Sequence, residues 1–492
     1  MLRISIASMK TNANLDHDTC YNALISRDPR FDGCFFVGVT STGVYCRPVC
    51  AVRKPKKENT LFFRSAAAAE NGGFRPCLKC RPELAPGLAA VDSKRQLARA
   101  ASNLIEQGFL RGRSLAQLAA RVGVSDRYLR DLFQSEFGVS PVQYSQTHRL
   151  LLAKQLLTES DLSMTDVALA AGFNSTRRFN DLFQKHYGLI PSKVRRRSGP
   201  AQTDMISFEM PYRPPYAWDA LLSFLSARTI AGVDAVVDGR YHRIVRVEAG
   251  EDSAVGWFEA SHEADAARIR IRLDSTLSRH IGYLINRLRA FFDVSCVPQE
   301  INKVLGTLAQ NEPGMRIPSG MDGFEIAVRA ILGQQITVAA ARTLLARLVD
   351  KFGDPIETPF PEINRTFPSA ATLVNLPVEE LASLGVIRTR VRAIQEIAAA
   401  MLRSELTLSP AANVEQEIQR LHAIPGIGDW TAQYIAMRAM SWPDAFPASD
   451  VGVRKALGGV DAKQSARAAE EWRPWRGYAV MHLWRSLELP HD

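Results

Sequence analysis

Leu421-His422-Ala423-Ile424-Pro425-Gly426-Ile427-Gly428-Asp429-Trp430-Thr431-Ala432-Gln433-Tyr434 carries a Pro-Gly-x-Gly turn between two segments of helical character. Such a turn joins two helices and leaves backbone N–H groups free at the start of the second, where they suit the phosphate of a nucleic-acid backbone. Gly426 and Gly428 are the candidate contacts. Downstream, Phe446-Pro447-Ala448-Ser449-Asp450-Val451-Gly452-Val453-Arg454-Lys455 forms a Pro-rich turn that presents one carboxylate, Asp450, near a new helix start. Asp450 is the candidate catalytic group. Helix N-capping is the alternative, and one residue can do both.

The totals admit this chemistry. A length of 492 residues suits three or four domains, and 46% hydrophobic residues can fill several cores. A formal charge of +10 favours a polyanion partner. Seven cysteines, an odd number, fit a reducing cytosol better than a disulfide framework. Met1 to Lys10 is too short and polar for a signal peptide. No apolar run reaches the roughly 20 residues needed to span a bilayer. The expectation is a soluble, cytoplasmic, nucleoid-associated protein with no membrane partner.

Upstream lies an internal repeat. Ser125-Asp126-Arg127-Tyr128-Leu129-Arg130-Asp131-Leu132-Phe133-Gln134 is echoed fifty residues later by Ser175-Thr176-Arg177-Arg178-Phe179-Asn180-Asp181-Leu182-Phe183-Gln184. Gly138 and Pro141 recur as Gly188 and Pro191. Each copy follows a short helical run, a Gly turn and a capping residue, which is helix-turn-helix grammar written twice. The second helix of each copy would enter a major groove, the two grooves lying about 34 Å apart. Candidate base readers are Asp126, Arg127 and Arg130, then Thr176, Arg177, Arg178 and Asn180. Plain helical hairpins with solvated arginines are the alternative. The basic, breaker-rich run Arg195-Arg196-Arg197-Ser198-Gly199-Pro200 reads as a linker.

Nearest the start, Cys46 and Cys50 form C-x3-C and Cys77 and Cys80 form C-x2-C, with 26 residues between the pairs. Two such pairs make a tetrahedral zinc site, and the Arg and Lys around every thiol suit an anionic polymer. A closed structural site and a redox or metal sensor are both open on spacing alone. Cys20, Cys34 and Cys296 lack metal-type partners. The segment up to about Pro86, around the paired cysteines, has a small core, so a structural metal would supply much of its stability.

Three resemblances add to this reading. The repeat resembles the AraC-type transcription-factor domain, down to Gly172-Phe173-Asn174. Before it, Phe36-Val37-Gly38-Val39-Thr40-Ser41-Thr42-Gly43-Val44-Tyr45-Cys46-Arg47-Pro48-Val49-Cys50 and Gly73-Phe74-Arg75-Pro76-Cys77-Leu78-Lys79-Cys80 resemble the Ada-type zinc module. That resemblance implies one Zn2+ on all four cysteines and a methyl group passed from a DNA methylphosphotriester to Cys46. Methylating one of four zinc-bound thiolates takes the centre from about −2 to about −1, which lowers its repulsion from DNA. The Pro-Cys-His-Arg string of the second Ada methyltransferase domain is absent, so repair of O6-alkylguanine is not predicted.

The hairpin, the Gly/Pro-rich loop and the aspartate, in that order, resemble the HhH-GPD glycosylases. Tyr212-Arg213-Pro214-Pro215-Tyr216-Ala217-Trp218, Ala330-Ile331-Leu332-Gly333-Gln334-Gln335 and Trp472-Arg473-Pro474-Trp475-Arg476-Gly477-Tyr478-Ala479 extend the likeness to AlkA-type 3-methyladenine glycosylases. This implies Asp450 as the catalytic carboxylate and Gln335 as the wedge in the duplex. It also implies a base pocket of Trp430, Tyr434, Trp484 and Phe224, and a monovalent or divalent cation at the helix-hairpin-helix. Phe224 equally fits an ordinary core position. Trp430 stands where glycosylases that also cut the backbone carry lysine, which implies base removal without strand cleavage. Val451 stands where some relatives have tyrosine, a departure that bears on substrate range.

The expected fold is multidomain α+β, mainly α. It comprises a small zinc α/β domain (12–88), an AraC-type double helix-turn-helix domain (93–197), a mixed α/β subdomain (203–292) and a helical HhH-GPD domain (293–488). The expected partners are double-stranded DNA, both damaged and promoter, and RNA polymerase, with the chain acting as a monomer. The rival reading is a transcription regulator whose C-terminal half grips DNA without glycosylase activity.

Overall fold

The computed structural model describes residues 16–28, 31–85, 93–106, 108–110, 113–160, 162–195, 205–249, 252–410 and 414–488. The opening Met1 to Lys10 and most of the basic linker lie outside these residues. The chain divides into two compact units. One runs to Pro214 and includes Ser278–Asn286; the other comprises Pro215–Leu277 and the residues from Arg287 onward. No described helix is long and apolar enough to cross a membrane.

The first unit opens with a small sheet of β1 (Phe36–Val39), β2 (Val44–Cys46), β3 (Thr60–Phe63) and β4 (Arg75–Pro76), in the order β3-β1-β2-β4. β1 pairs antiparallel with β2 and β3, while β2 pairs parallel with β4 through Val44↔Arg75 and Tyr45↔Pro76. That parallel pairing brings the segments bearing Cys46 and Cys77 side by side, and Cys77 N–H donates to the Tyr45 carbonyl (2.9 Å). One face packs on helix His17–Ser26 through Cys20, Ala23, Leu24, Phe35, Val37 and Phe62. The other packs on helix Ala66–Asn71 through Phe36, Tyr45, Ala69 and Phe74.

The two helix-turn-helix copies follow with the caps the sequence expects. Ser125 accepts from Tyr128 N–H ahead of helix Asp126–Phe137, and Ser175 accepts from Arg178 N–H ahead of helix Thr176–Tyr187. Both helices end on a left-handed glycine, Gly138 and Gly188. Their apolar faces, Leu129, Leu132, Phe133 and Phe137 in one and Phe179, Phe183 and Tyr187 in the other, are buried. The 19-residue helix Pro141–Glu159 joins the copies, and strand β5 (Met205–Pro211) buries Ile206, Phe208 and Met210 on alternate residues.

In the second unit β6 (Asp234–Val237), β7 (Arg240–Ala249), β8 (Asp252–Glu263) and β9 (Arg268–Asp274) lie side by side, each antiparallel to the next. Helix Trp218–Ser226 precedes them, and from Pro298 onward the unit is helical. Its central helix, Gly323–Leu332, is buried at nearly every position. Among the helices around it are Val338–Phe352, Arg388–Leu402 and Asp429–Ala439.

Candidate functional sites

In the first unit the four sulfurs of Cys46, Cys50, Cys77 and Cys80 all lie within 4.8 Å of one another. A zinc–sulfur bond of about 2.3 Å in a tetrahedron places sulfurs about 3.8 Å apart, so the donor set fits the ion. Backbone N–H groups of Arg47 and Lys79 donate to Cys80 Sγ and Cys77 Sγ (3.4 Å each). Without a cation the four thiols oppose one another. Hydrogen bonds from its neighbours drive Cys77 down and bring Cys50 to about 7, while the same contacts drive Cys46 and Cys80 up. A dication removes that conflict. Cys46 is 5% exposed, and Cys80 is the most accessible of the four.

Arg47 is built into this site. Its Nε and Nη2 hold the Asp32 carboxylate, the former at 2.8 Å, and its Nη1 donates to the Cys80 carbonyl (3.2 Å). Arg213 Nε in turn donates to the Asp32 carbonyl (2.8 Å). The guanidinium thus braces the cysteine loops and is not free for solution contacts.

On the recognition helices Arg127, Arg177 and Arg178 are exposed and Asn180 and Thr176 are partly so. Arg130 is exposed too, but its Nη2 pairs with Asp126 one turn back (3.2 Å). The second copy therefore offers the more available cations.

In the second unit the hairpin has the geometry its glycines require. Gly426 takes φ +89°, Ile427 N–H donates to the Ile424 carbonyl (3.1 Å), and Gly428 caps helix Asp429–Ala439. Gln334 Nε2 donates to the Gly426 carbonyl and to Thr431 Oγ1 (3.0 Å each), and Arg390 holds the Gln334 carbonyl. The next residue, Gln335, is exposed in the left-handed region at φ +55°.

Asp450 N-caps helix Val451–Ala456, as the capping alternative expects. Oδ1 accepts from Val453 N–H and Trp484 Nε1 (2.9 Å each), and Oδ2 accepts from Trp430 Nε1 (2.7 Å). Three donors fix the carboxylate in one orientation, and its lone pairs number about four. Gly452 permits this, because a Cβ there would lie 3.0 Å from the Trp484 ring and 3.1 Å from Asp450 Oδ1. The rings continue outward: Trp430 stacks on Tyr434 (5.4 Å, 19°) and Trp484 on Phe224 (6.0 Å, 14°). All four aromatics expected from the sequence are thus in one cluster with Asp450. Phe224 is also core, at 4% exposure.

Residues 19–83 match the family described as metal binding domain of Ada, and residues 118–197 a helix-turn-helix domain. Residues 207–322 match the AlkA N-terminal domain, and 328–474 the HhH-GPD superfamily base excision DNA repair proteins. The Mycobacterium tuberculosis protein named "Probable bifunctional transcriptional activator/DNA repair enzyme AlkA" is 36% identical, over 96% of this chain and 97% of its own. The chain belongs to this AlkA-type bifunctional family. DNA-3-methyladenine glycosylase 2 of Escherichia coli is also 36% identical, over 56% of this chain and 96% of its own. The 3-methyladenine DNA-glycosylase structure from Archaeoglobus fulgidus shares the fold of the same half. Its TM-score is 0.50 at 22% identity, covering 57% of this chain and 99% of that one.

Within this AlkA-type chain, sequence reasoning missed two cations. The Arg228 guanidinium lies 3.8 Å over the Phe224 ring, and that of Arg438 lies 4.8 Å from it. Arg438 Nη1 also donates to Tyr434 Oη (3.2 Å). Burial lowers both pKa values, and the Arg228 charge lowers that of Arg438 further. The aromatic cluster thus has a positive end that its composition does not reveal. The only sequence signal is spacing, since Arg228 and Arg438 each stand four residues after an aromatic of the cluster. Gln433 was missed as well: its Oε1 accepts from Phe446 N–H (3.1 Å) and so ties the Asp450 loop to the hairpin helix.

Proposed function

We infer that the chain is a DNA alkylation-damage response protein with three activities in series. Residues 12–88 accept a methyl group from DNA methylphosphotriesters, residues 93–197 bind DNA as a transcriptional activator, and residues 203–292 with 293–488 excise alkylated purines of the 3-methyladenine type. The observation that carries this reading is the Asp450 carboxylate, pinned by two indole N–H groups inside an aromatic cluster. Relatives named for transcriptional activation, DNA repair and 3-methyladenine release support it.

In base removal the N-glycosidic bond breaks and its electron pair leaves with the purine. Asp450, already oriented, faces the cation-like sugar that results, and water adds at the sugar carbon to leave an abasic site. Trp430, Tyr434, Trp484 and Phe224 supply ring faces for a flipped base. An indole stands at position 430, so no amine is there to form a Schiff base. Gly426 and Gly428 contact the backbone phosphate, with a cation at that hairpin, and Gln335 enters the duplex gap.

In methyl transfer Cys46 Sγ attacks the methyl carbon, the carbon–oxygen bond breaks, and the electron pair stays on the phosphodiester oxygen. When bound, Zn2+ keeps the sulfurs deprotonated. Arg127, Arg130, Arg177, Arg178 and Asn180 hold the recognition helices on promoter DNA, where the chain, as a nucleoid-associated cytoplasmic monomer, meets RNA polymerase. Release of free 3-methyladenine from alkylated duplex DNA by the full-length protein tests the enzyme reading. Absence of release in the unmodified chain would leave a regulator that only grips DNA. Peptide mass spectrometry after exposure to methylphosphotriester DNA tests Cys46, and an unshifted peptide sinks the acceptor role.

A further inference from the structure

One six-residue helix in the first unit touches the far ends of both recognition helices. Ser65, the N-cap of helix Ala66–Asn71, donates from Oγ to the carbonyl of Phe137, the last residue of the first recognition helix (2.7 Å). At its other end, Glu70 Oε1 accepts from the hydroxyl of Tyr187, the last residue of the second recognition helix (3.1 Å). The same Oε1 accepts from Tyr45 Oη (2.9 Å), and Oε2 accepts from Thr147 Oγ1 (2.9 Å) on the helix between the two copies. Tyr45 is fully buried and directly precedes Cys46, and its carbonyl receives Cys77 N–H.

The arrangement is specific. Asn71 Oδ1 accepts from Gln143 Nε2 (3.1 Å), and the buried Lys154 ammonium pairs with Glu83 (2.6 Å), so the cysteine module and the repeat are joined at several points. Among the described residues Glu70 links all three levels: Tyr45 beside Cys46, the connecting helix and a recognition helix. A carboxylate that holds three hydroxyls in a water-poor interface passes a shift of one donor to the other two, because none can be replaced by solvent at equal free energy.

We propose that Glu70 is a positioning residue that couples the state of Cys46 to the recognition helices, through Tyr45 on one side and Tyr187 on the other. This rests on the reading of Cys46 as methyl acceptor. Alkylation of Cys46 alters the sulfur beside Tyr45; the Tyr45–Glu70–Tyr187 chain then resets the last turn of helix Thr176–Tyr187, and Ser65 carries the same displacement to Phe137.

The experiment uses full-length, zinc-loaded protein and hydrogen–deuterium exchange, before and after exposure to methylphosphotriester duplex DNA. Methyl uptake at Cys46 is read by peptide mass in the same samples. In the unmodified chain, methylation is expected to change exchange over Thr176–Tyr187 by about fivefold, the scale of one hydrogen bond. In Glu70→Leu the uptake persists and the change disappears. Tyr187→Phe, which removes a single hydroxyl and keeps the ring, reduces it in the same direction. Unchanged exchange in methylated wild type overturns the proposal, as does a full response in both variants. If Cys46 takes no methyl, the acceptor reading fails separately. The coupling is then judged on Cys46→Ser, which perturbs the cluster with no donor: a shift over Thr176–Tyr187 that Glu70→Leu abolishes supports it, and no shift overturns it.

Discussion

Glu70 and Asp450 are both carboxylates held by three donors, and the donors differ in kind. Glu70 receives hydroxyls from Tyr45, Thr147 and Tyr187, each on a different element, and burial pushes its pKa up to about 7. Asp450 receives two indole N–H groups and one backbone N–H from residues that surround a shared aromatic cluster. Hydroxyl donors can turn and can also accept, so Glu70 is satisfied with or without its proton. Indole and backbone N–H groups only donate, so in all three contacts the Asp450 carboxylate is the acceptor. Donor type, more than donor number, separates the proposed joint from the proposed reagent.

The largest break in that comparison is Asp450→Asn. Base release in single-turnover assays on alkylated duplex is expected to fall by about 10²- to 10³-fold, the cost of removing a preorganised electrostatic partner. A rate within tenfold of wild type would move the chemistry away from this carboxylate. Next comes Trp484→Phe, which keeps the ring stacked on Phe224 and removes one N–H. A hydrogen bond to a charged group is worth roughly 1.5–3 kcal/mol, so excision should slow by about ten- to a hundredfold. If Trp430→Phe slows it equally while the double variant is less than additive, the two indoles act as one clamp.

A smaller effect concerns Glu70 and pH. Its native pKa of about 7 exceeds the usual 4.5, with Tyr45, Tyr187 and Lys154 facing it. The native state therefore keeps the proton longer than the unfolded chain, and its contribution is complete below 4.5 and is lost as pH rises through about 7. Glu70→Gln should abolish that slope. Its stability relative to wild type should rise by on the order of 2 kcal/mol between pH 4.5 and 8, part of the full shift being screened. Melting of the zinc-loaded protein across that range, read as zinc release, checks it, and parallel pH curves for the two proteins would refute the proton on Glu70. The smallest is Thr147→Val, with an expected loss of about 1 kcal/mol in the same melt and no change in base excision.

Much of both sites was legible because their grammar is short-range. Cysteine pairs three and four residues apart, caps and glycines around each recognition helix, and a Pro-Gly-x-Gly turn each constrain the backbone within a dozen residues. Asp450 was legible as a lone carboxylate after such a turn. Arg228 and Arg438 were not: an arginine next to an aromatic in space looks like any solvated arginine in sequence. Glu70 was equally silent, because its partners lie 25, 77 and 117 residues away. The expectation that Arg130 reads bases takes a qualification of the same kind, since Asp126 one turn earlier already holds its guanidinium.

By itself, then, the sequence determined the modules, their order, the four sulfurs and the carboxylate of the second site, since each rests on backbone rules that a few neighbouring residues satisfy. Only the tertiary structure decided what those groups meet. Packing that joins residues far apart in the chain turned Trp430 and Trp484 toward Asp450, set two cations beside Phe224, and closed three hydroxyls on Glu70. Such partners are chosen by shape and desolvation across the folded core, for which no local pattern of residues stands as a sign.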